Sequence, residues 1–259
     1  MLDKTSPIPL YYQLAETIKE QIAAGTWLPG TQLPGERELN EQYSISRMTV
    51  RQALQHLIRE GIVVSKKGLG TYVAAPKMSY DPLHVMGFTD DMLRRGATVS
   101  SRVLEQVIVT LPTAIGAQLQ LASSATATKI VRLRLSDSTP LLLETVYVPM
   151  EIFPNLVRED LAAQSLYHLL FERYNVQLKG SQQTFEAVPA NENESNLFGI
   201  NTLTPMFLIE GVTYDVHDRP IEYFKAAYRG DRFKIHLDSR RNTQQFDSTR
   251  SPLLSVVMR

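Results

Sequence analysis

The chain has 259 residues, enough for one large domain or two ordinary ones, and its 43% hydrophobic and 21% charged residues are globular proportions that allow a sizeable core without metals or disulfides. It has no Cys, which excludes a disulfide framework and any Cys-ligated metal. Its 27 basic residues balance 27 acidic ones, so any nucleic-acid surface must be a local patch. The start, MLDKTSPIPLYYQ, lacks a basic n-region followed by an apolar h-region, and no run reaches the ~18–20 apolar residues of a membrane span. A cytoplasmic protein with no membrane partner is expected.

From 9 to 25, Leu10, Leu14, Ile18 and Ile22 recur every four residues and predict a helix that ends at Gly25. A short second helix is predicted over 35–43, with Leu39 facing inward. Ser44-Ile45-Ser46 then makes a tight connection, and Ser46 is placed to cap a third helix over 47–60. In that helix Val50, Ala53, Leu54, Leu57 and Ile58 share the apolar face. Arg47, Met48, Arg51, Gln52 and Gln55 share the other. At ~1.5 Å per residue the helix is about 20 Å long, enough to lie in a major groove.

Two β-prone runs, 62–64 and 71–73, flank Ser65-Lys66-Lys67-Gly68-Leu69-Gly70 and predict a hairpin with a basic tip, the form of a wing. Between Ser44 and Val73 the bases are Arg47, Arg51, Arg59, Lys66 and Lys67, and the only acid is Glu60. Arg forks suit guanine or phosphate and Gln suits adenine. Alone, such a helix face would read as merely solvated; beside the tight turn and the wing it reads as a DNA-binding face.

Residues 74–82 show no clear period and contain two prolines, as a linker would. Beyond them the pattern is α+β. Strands are predicted over 103–109, 129–135, 141–148, 206–214 and 221–228, and helices over 113–119, 165–174 and 191–198. A further helix starts at Phe88-Thr89-Asp90-Asp91-Met92, capped by Thr89. Two hairpins have Asp and Pro in the turn and Glu early in the returning strand (Glu144, Glu222), which suggests an internal repeat; short connections predict an antiparallel sheet.

Arg132 and Arg134 point to one face of their strand, with Val131, Leu133 and Leu135 on the other against the core. Two adjacent guanidinium groups need an anion or a carboxylate between them. A phosphate would serve, and so would Glu144 on the paired strand. Ser165 opens a helix whose free N–H groups could hold an anion or could simply be capped. Glu222 and Tyr228 share a strand face. His56, His84, His168, His217 and His236 are scattered without ligand spacing, so neither a metal nor a cofactor is expected, and no catalytic constellation is visible.

Three segments carry a family resemblance: Leu33-Pro34-Gly35-Glu36-Arg37-Glu38-Leu39, Ser46-Arg47-Met48-Thr49-Val50-Arg51-Gln52-Ala53-Leu54, and Glu60-Gly61 with Gly68-Leu69-Gly70-Thr71-Tyr72-Val73. Together they resemble the winged helix-turn-helix of the GntR family of regulators. That resemblance implies contacts to double-stranded DNA from Arg37, Ser46, Arg47, Thr49, Arg51, Gln52, Lys66, Lys67 and Gly70. Gly35 stands where the family usually has Ser or Thr, a weaker cap by a few tenths of a kcal/mol.

Phe88-Thr89-Asp90-Asp91-Met92 with Arg95-Gly96, Arg132-Leu133-Arg134, Glu144 with Pro149, Ser165-Leu166-Tyr167 and Tyr228-Arg229-Gly230-Asp231-Arg232 resemble the UTRA effector domain of HutC-type members, which has a chorismate-lyase-like fold. The segment is most similar to regulators of N-acetylglucosamine use, which bind an amino-sugar phosphate; related domains take other sugars, urocanate or fatty acids. The resemblance implies that Thr89, Arg132, Arg134 and Ser165 hold the phosphate, that Glu144, Glu222 and Tyr228 face the sugar, and that Phe88 and Tyr167 lie nearby. It also implies a homodimeric repressor on a palindromic operator, not an enzyme. The expected division is 1–75 winged helix-turn-helix, 76–82 linker, 83–239 effector domain with an antiparallel sheet, and 240–259 tail.

Overall fold

A computed structural model of the chain describes residues 2–66, 68–82 and 86–237. Expectations for Lys67 and for the 240–259 tail lie outside these residues. Among those described, no helix is long and apolar enough to cross a membrane.

The first unit builds from three helices, α1 (Leu10–Ala23), α2 (Glu36–Tyr43) and α3 (Arg47–Arg59), and a hairpin of β1 (Val63–Lys66) and β2 (Gly70–Val73). The four-residue stripe of α1 buries Leu14 and Ile18 against Leu39, Val50, Leu54 and Leu57, with Leu10 and Ile22 at the margin. Helix α2 ends because Ser44 turns left-handed (φ 52°), and the Asn40 side-chain amide donates to the Ile45 carbonyl to hold the turn. Ser46 caps α3 by accepting from the Thr49 amide at 3.1 Å. Gly35, which has no capping side chain, instead donates its amide to Glu38 at 2.7 Å. Ile58 departs from expectation: it is 38% exposed and lies outside the cluster that buries Leu54 and Leu57.

The segment expected to be a linker is not structureless. It contains β3 (Met78–Tyr80), which pairs in parallel with β10 (Phe233–Ile235) at the far end of the chain.

The second unit is one six-stranded sheet in the order β4-β5-β6-β9-β8-β7, every neighbouring pair antiparallel. Its strands are β4 (Val99–Thr110), β5 (Thr126–Ser136), β6 (Thr139–Pro149), β7 (Leu178–Pro189), β8 (Pro205–Asp215) and β9 (Pro220–Arg229). Its helices are α4 (Phe88–Arg94), α5 (Thr113–Gln118), α6 (Leu166–Tyr174) and α7 (Glu192–Phe198). The chain therefore runs α4-β4-α5-β5-β6 and then α6-β7-α7-β8-β9, the same sequence of elements twice. The two runs meet where β6 pairs with β9. The repeat suggested by two hairpins extends to five elements.

Both sheet faces are covered. Leu166, Leu169 and Leu170 of α6 pack on Ile130, Val146 and Val148, and Phe88 and Met92 of α4 pack on Leu142 and Ala226. On the other face Phe198 of α7 meets Leu133, Met206 and Ala227. Arg132 and Arg134 thus lie on a helix-covered face, each 2% exposed, while Val131 and Leu135 on the opposite face are only half-buried. Strand β7, unpredicted from sequence, is an edge strand whose polar residues show no apolar alternation.

The β7–β8 contact is close enough to demand a glycine. A Cβ on Gly211 would sit 2.1 Å from the Gln182 carbonyl oxygen, whereas one on Gly180 would meet nothing within 4 Å. Gly211→Ala should therefore cost about 1–3 kcal/mol or more of effector-domain stability, and Gly180→Ala should change it little. Urea unfolding followed by near-UV circular dichroism measures both.

Candidate functional site

Two faces collect the expected residues. The first lies on α2, α3 and the hairpin. Arg47, Arg51 and Gln52 are exposed along α3, and Arg37 is exposed on α2. Ser46 and Thr49 are joined hydroxyl to hydroxyl at 2.8 Å, so both are committed to the start of α3. Arg37 donates to Glu41 at 2.9 Å, and Arg51 is gripped by Glu36. Lys66 lies over the Tyr72 ring at 4.3 Å, which fixes its direction along the hairpin.

The hairpin is clamped to the body. Gln32 donates to the Leu69 carbonyl at 2.8 Å and pairs with Tyr72 through an isolated bridge. Gly70 needs to be glycine twice over: its φ is +114°, and a Cβ would lie 2.7 Å from the Gln32 amide nitrogen. Gln32 was not singled out in the sequence; its role depends on a contact 37 residues away.

The second face is a cavity of about 80 Å³ between the sheet, α4 and α6. Its floor comes from adjacent strands. Arg132 and Arg134 on β5 stand beside Glu144 on β6, with Arg132 directly opposite it in register. One oxygen, Glu144 Oε1, accepts from Arg132 Nη2 at 2.6 Å and from Arg134 Nη1 at 2.7 Å. Glu144, one of the two fillings that the sequence left open, lies between the guanidinium groups. Burial alone would raise the Glu144 pKa, but the two arginines overcome it and hold the carboxyl below its usual range.

The remaining guanidinium nitrogens reach outward. Arg134 Nη2 donates to the Thr89 hydroxyl, and Arg132 Nη1 donates to the Leu161 carbonyl at 3.4 Å. Nε of each is buried without a hydrogen-bond partner. Phe88 lies under the Arg134 guanidinium at 5.1 Å. Thr89 does not cap α4 as expected; Gly87 takes that place, which frees the Thr89 hydroxyl for Arg134.

Two helix starts converge here. Ser165 caps α6 by accepting from the His168 amide at 3.4 Å and donates to Asp90 of α4 at 3.5 Å. Gly87 lies so close that a Cβ on it would be 3.3 Å from the Tyr167 ring. Opposite the arginines, Tyr167 donates to Glu222 Oε2 at 2.8 Å, and Thr213 donates to the same oxygen at 3.1 Å. Burial, with Glu144 nearby, pushes the Glu222 carboxyl up to about 7. Tyr228 closes one wall, packed edge-on to Phe233 at 5.0 Å and tilted against Tyr80 at 5.3 Å.

All nine residues expected at the effector site line this one cavity. Sequence reading missed Tyr80, Ser181, Gln183 and Thr213, which also line it. Tyr80 and Gln183 are hydrogen-bonded at 3.3 Å. Both sit on strands without a periodic signal, β3 and β7. Thr213 could have been found, since it stands directly opposite Glu222 in the second hairpin.

Comparison with known proteins agrees with this geometry. Residues 10–73 match the bacterial regulatory proteins of the gntR family, and residues 94–234 match the UTRA domain. The chain is 37% identical to the HTH-type transcriptional repressor NagR of Bacillus subtilis, over 90% of this chain and 95% of that one. It is 31% identical to the mannosyl-D-glycerate transport/metabolism system repressor MngR of Escherichia coli, over 92% and 98%. The crystal structure of PhnF from Mycobacterium smegmatis is similar at 27% identity and a TM-score of 0.61, covering 87% of this chain and 99% of that one. With the reading helix, the wing and the covered cavity in one chain, the protein belongs to the gntR family of bacterial regulatory proteins, in the HutC-type form that joins a DNA-binding unit to a UTRA effector domain, and is a transcriptional repressor rather than an enzyme.

Proposed function

We propose that this repressor is a cytoplasmic homodimer that reads a palindromic operator and changes its DNA affinity on binding an amino-sugar phosphate, glucosamine-6-phosphate or N-acetylglucosamine-6-phosphate. Residues 1–75 would form the DNA-reading unit, 76–82 the connection, 83–239 the effector unit and 240–259 a tail. The observation that carries the effector reading is the pair of buried guanidinium groups sharing one carboxylate oxygen. Glu144 can neutralise only one of the two charges. When Glu222, pushed up to about 7, is protonated, the cavity holds a net positive charge, and Thr89 and Ser165 stand beside it at the starts of two helices. A neutral effector would leave that charge unused. The similarity to regulators of N-acetylglucosamine use supports an amino sugar as the rest of the ligand, with Glu144, Glu222, Tyr167 and Tyr228 as polar contacts.

On the DNA side, Arg47, Arg51 and Gln52 would read bases, while Arg37, Ser46, Thr49, Lys66 and Gly70 would position the phosphates. Lys67, next to Lys66 in the sequence, would add to the phosphate contacts. Each half of a palindrome needs one such head, which is why a dimer is required. Release then needs only a difference in operator affinity between two states, typically ~1–3 kcal/mol.

Calorimetric titration with both sugar phosphates, and with the unphosphorylated sugars as controls, tests the ligand. Saturable binding that requires the phosphate is expected; binding of the unphosphorylated sugar with equal affinity would overturn an anionic effector. Binding at pH 7.5 should also take up protons. A dianion near Glu222 raises its carboxyl further above about 7, so the group, mostly ionised at pH 7.5, takes up part of a proton. Repeating the titration in buffers of different ionisation enthalpy measures that uptake, and Glu222→Gln should abolish it.

Substitutions separate the two units. Arg47→Ala should weaken operator binding, measured by anisotropy, by about tenfold or more and leave effector binding unchanged. Thr89→Val with Ser165→Ala should lower phosphate affinity about tenfold without affecting DNA binding in the absence of effector. Removing both Arg132 and Arg134 is a poorer test, because it strands the buried Glu144 at a cost of about 3–5 kcal/mol.

A further inference from the structure

Among the described residues, Arg51 is the one arginine of the α3 face held by two hydrogen bonds from another helix. Its Nε donates to Glu36 Oε1 at 3.1 Å and its Nη2 to Glu36 Oε2 at 2.9 Å. Glu36 is the first residue of α2, and Arg51 lies in the second turn of α3. The pair is half-exposed, with 54% of the Arg51 side chain and 38% of the Glu36 side chain open to solvent. The Arg37–Glu41 pair differs: it is a single bond within one helix between more exposed side chains.

We propose that Glu36 is a specificity-determining residue of the DNA-reading face, acting through Arg51. A guanidinium has two edges with paired donors. Glu36 occupies the Nε/Nη2 edge and leaves the Nη1/Nη2 edge facing away from it, two parallel N–H groups on a plane fixed by α2 and α3. That edge matches the O6/N7 acceptors of guanine. The carboxylate also cancels most of the charge that would draw Arg51 to a phosphate. A free arginine on a long flexible stem meets any backbone oxygen, so it adds affinity without discrimination. Paired to Glu36, the same side chain adds little to phosphate attraction and keeps its capacity for a neutral base edge. The carboxylate turns a general phosphate contact into a base reader.

The inference rests on α3 being the helix that reads DNA. Its test uses the full-length protein and a duplex enriched by it from a randomised library, against the same duplex with its bases scrambled. Affinities are measured by anisotropy across a salt series. Glu36→Gln should lower the ratio of selected to scrambled affinity by about tenfold. The change should come chiefly from tighter binding of the scrambled duplex, whose log K should fall more steeply with log salt by about 0.9, the signature of one added phosphate contact. In an Arg51→Ala background the same substitution should leave the ratio unchanged. Glu36→Asp keeps the charge at the start of α2 but is one methylene too short to grip both nitrogens; it should also lower the ratio. An unaltered ratio in both Glu36 variants, or an equal fall with and without Arg51, would overturn the assignment. If Arg51→Ala alone bound the selected duplex as tightly as the unaltered chain, the reading role of that position on α3 would fall, and with it the inference.

Discussion

The effector domain is organised around one buried carboxylate oxygen. Glu144 Oε1 accepts from two guanidinium groups that are themselves almost wholly removed from water. Each ion would cost several kcal/mol to bury alone, so the arrangement is tolerable only if all three are present and correctly placed. That requirement fixes several things together. Arg132 must stand opposite Glu144, which sets the register of β5 on β6. Arg134 must reach Thr89, which ties the start of α4 to the sheet. Arg132 must reach the Leu161 carbonyl, which anchors the loop before α6. The same two bonds bring both helix starts to the cavity.

The doubled order of elements explains why two helix starts are available. Each run opens with a helix, α4 or α6, packed on the same sheet face, and the runs join at β6 and β9. The contents of the two runs then diverge. The first supplies the arginines and Glu144; the second supplies Thr213 and Glu222 from its hairpin, with Tyr167 from α6. One side of the cavity is cationic and the other is a carboxyl whose burial favours its neutral form. A polar molecule with an anionic end would lie across that gradient in a single orientation.

Much of this was legible in the sequence, for identifiable reasons. The helices of the first unit carry strong 3.6-residue stripes and clear stops at Gly25 and Ser44, and Ser46 is a cap by chemistry alone. The central strands are apolar on alternating positions and bounded by turns. The edge strand β7 was not visible, because its exposed polar residues leave no period to detect. Strand β3 was read as linker because three residues flanked by prolines hold no local signal, and its partner lies about 150 residues away. The same two gaps hid Tyr80 and Gln183. Arg132 and Arg134 were legible as a pair needing a counter-charge, but choosing Glu144 required the β5–β6 register. Thr89 was misread as a cap because Gly87, with no side chain to offer, does not look like one.

Strand β3 also joins the two units. It leaves the hairpin of the first unit through Lys77, whose amine donates to the Gly230 carbonyl at 2.7 Å and whose side chain passes 3.2 Å from the point a Cβ on Gly61 would occupy. Gly61 lies in the turn between α3 and β1. Three residues further on, Tyr80 lies in the cavity wall against Tyr228. Gly230 in turn follows Tyr228 by two positions. The wall of the cavity and the turn beneath the reading helix are therefore joined by one short strand with a contact at each end. A flexible tether would let the heads move independently of the ligand. A paired strand instead links Tyr80 to Lys77 through a short run of backbone held by β10. Among the described residues, Lys77 to Tyr80 thus join the cavity wall to the turn beneath α3, in the stretch where sequence reading saw only a linker.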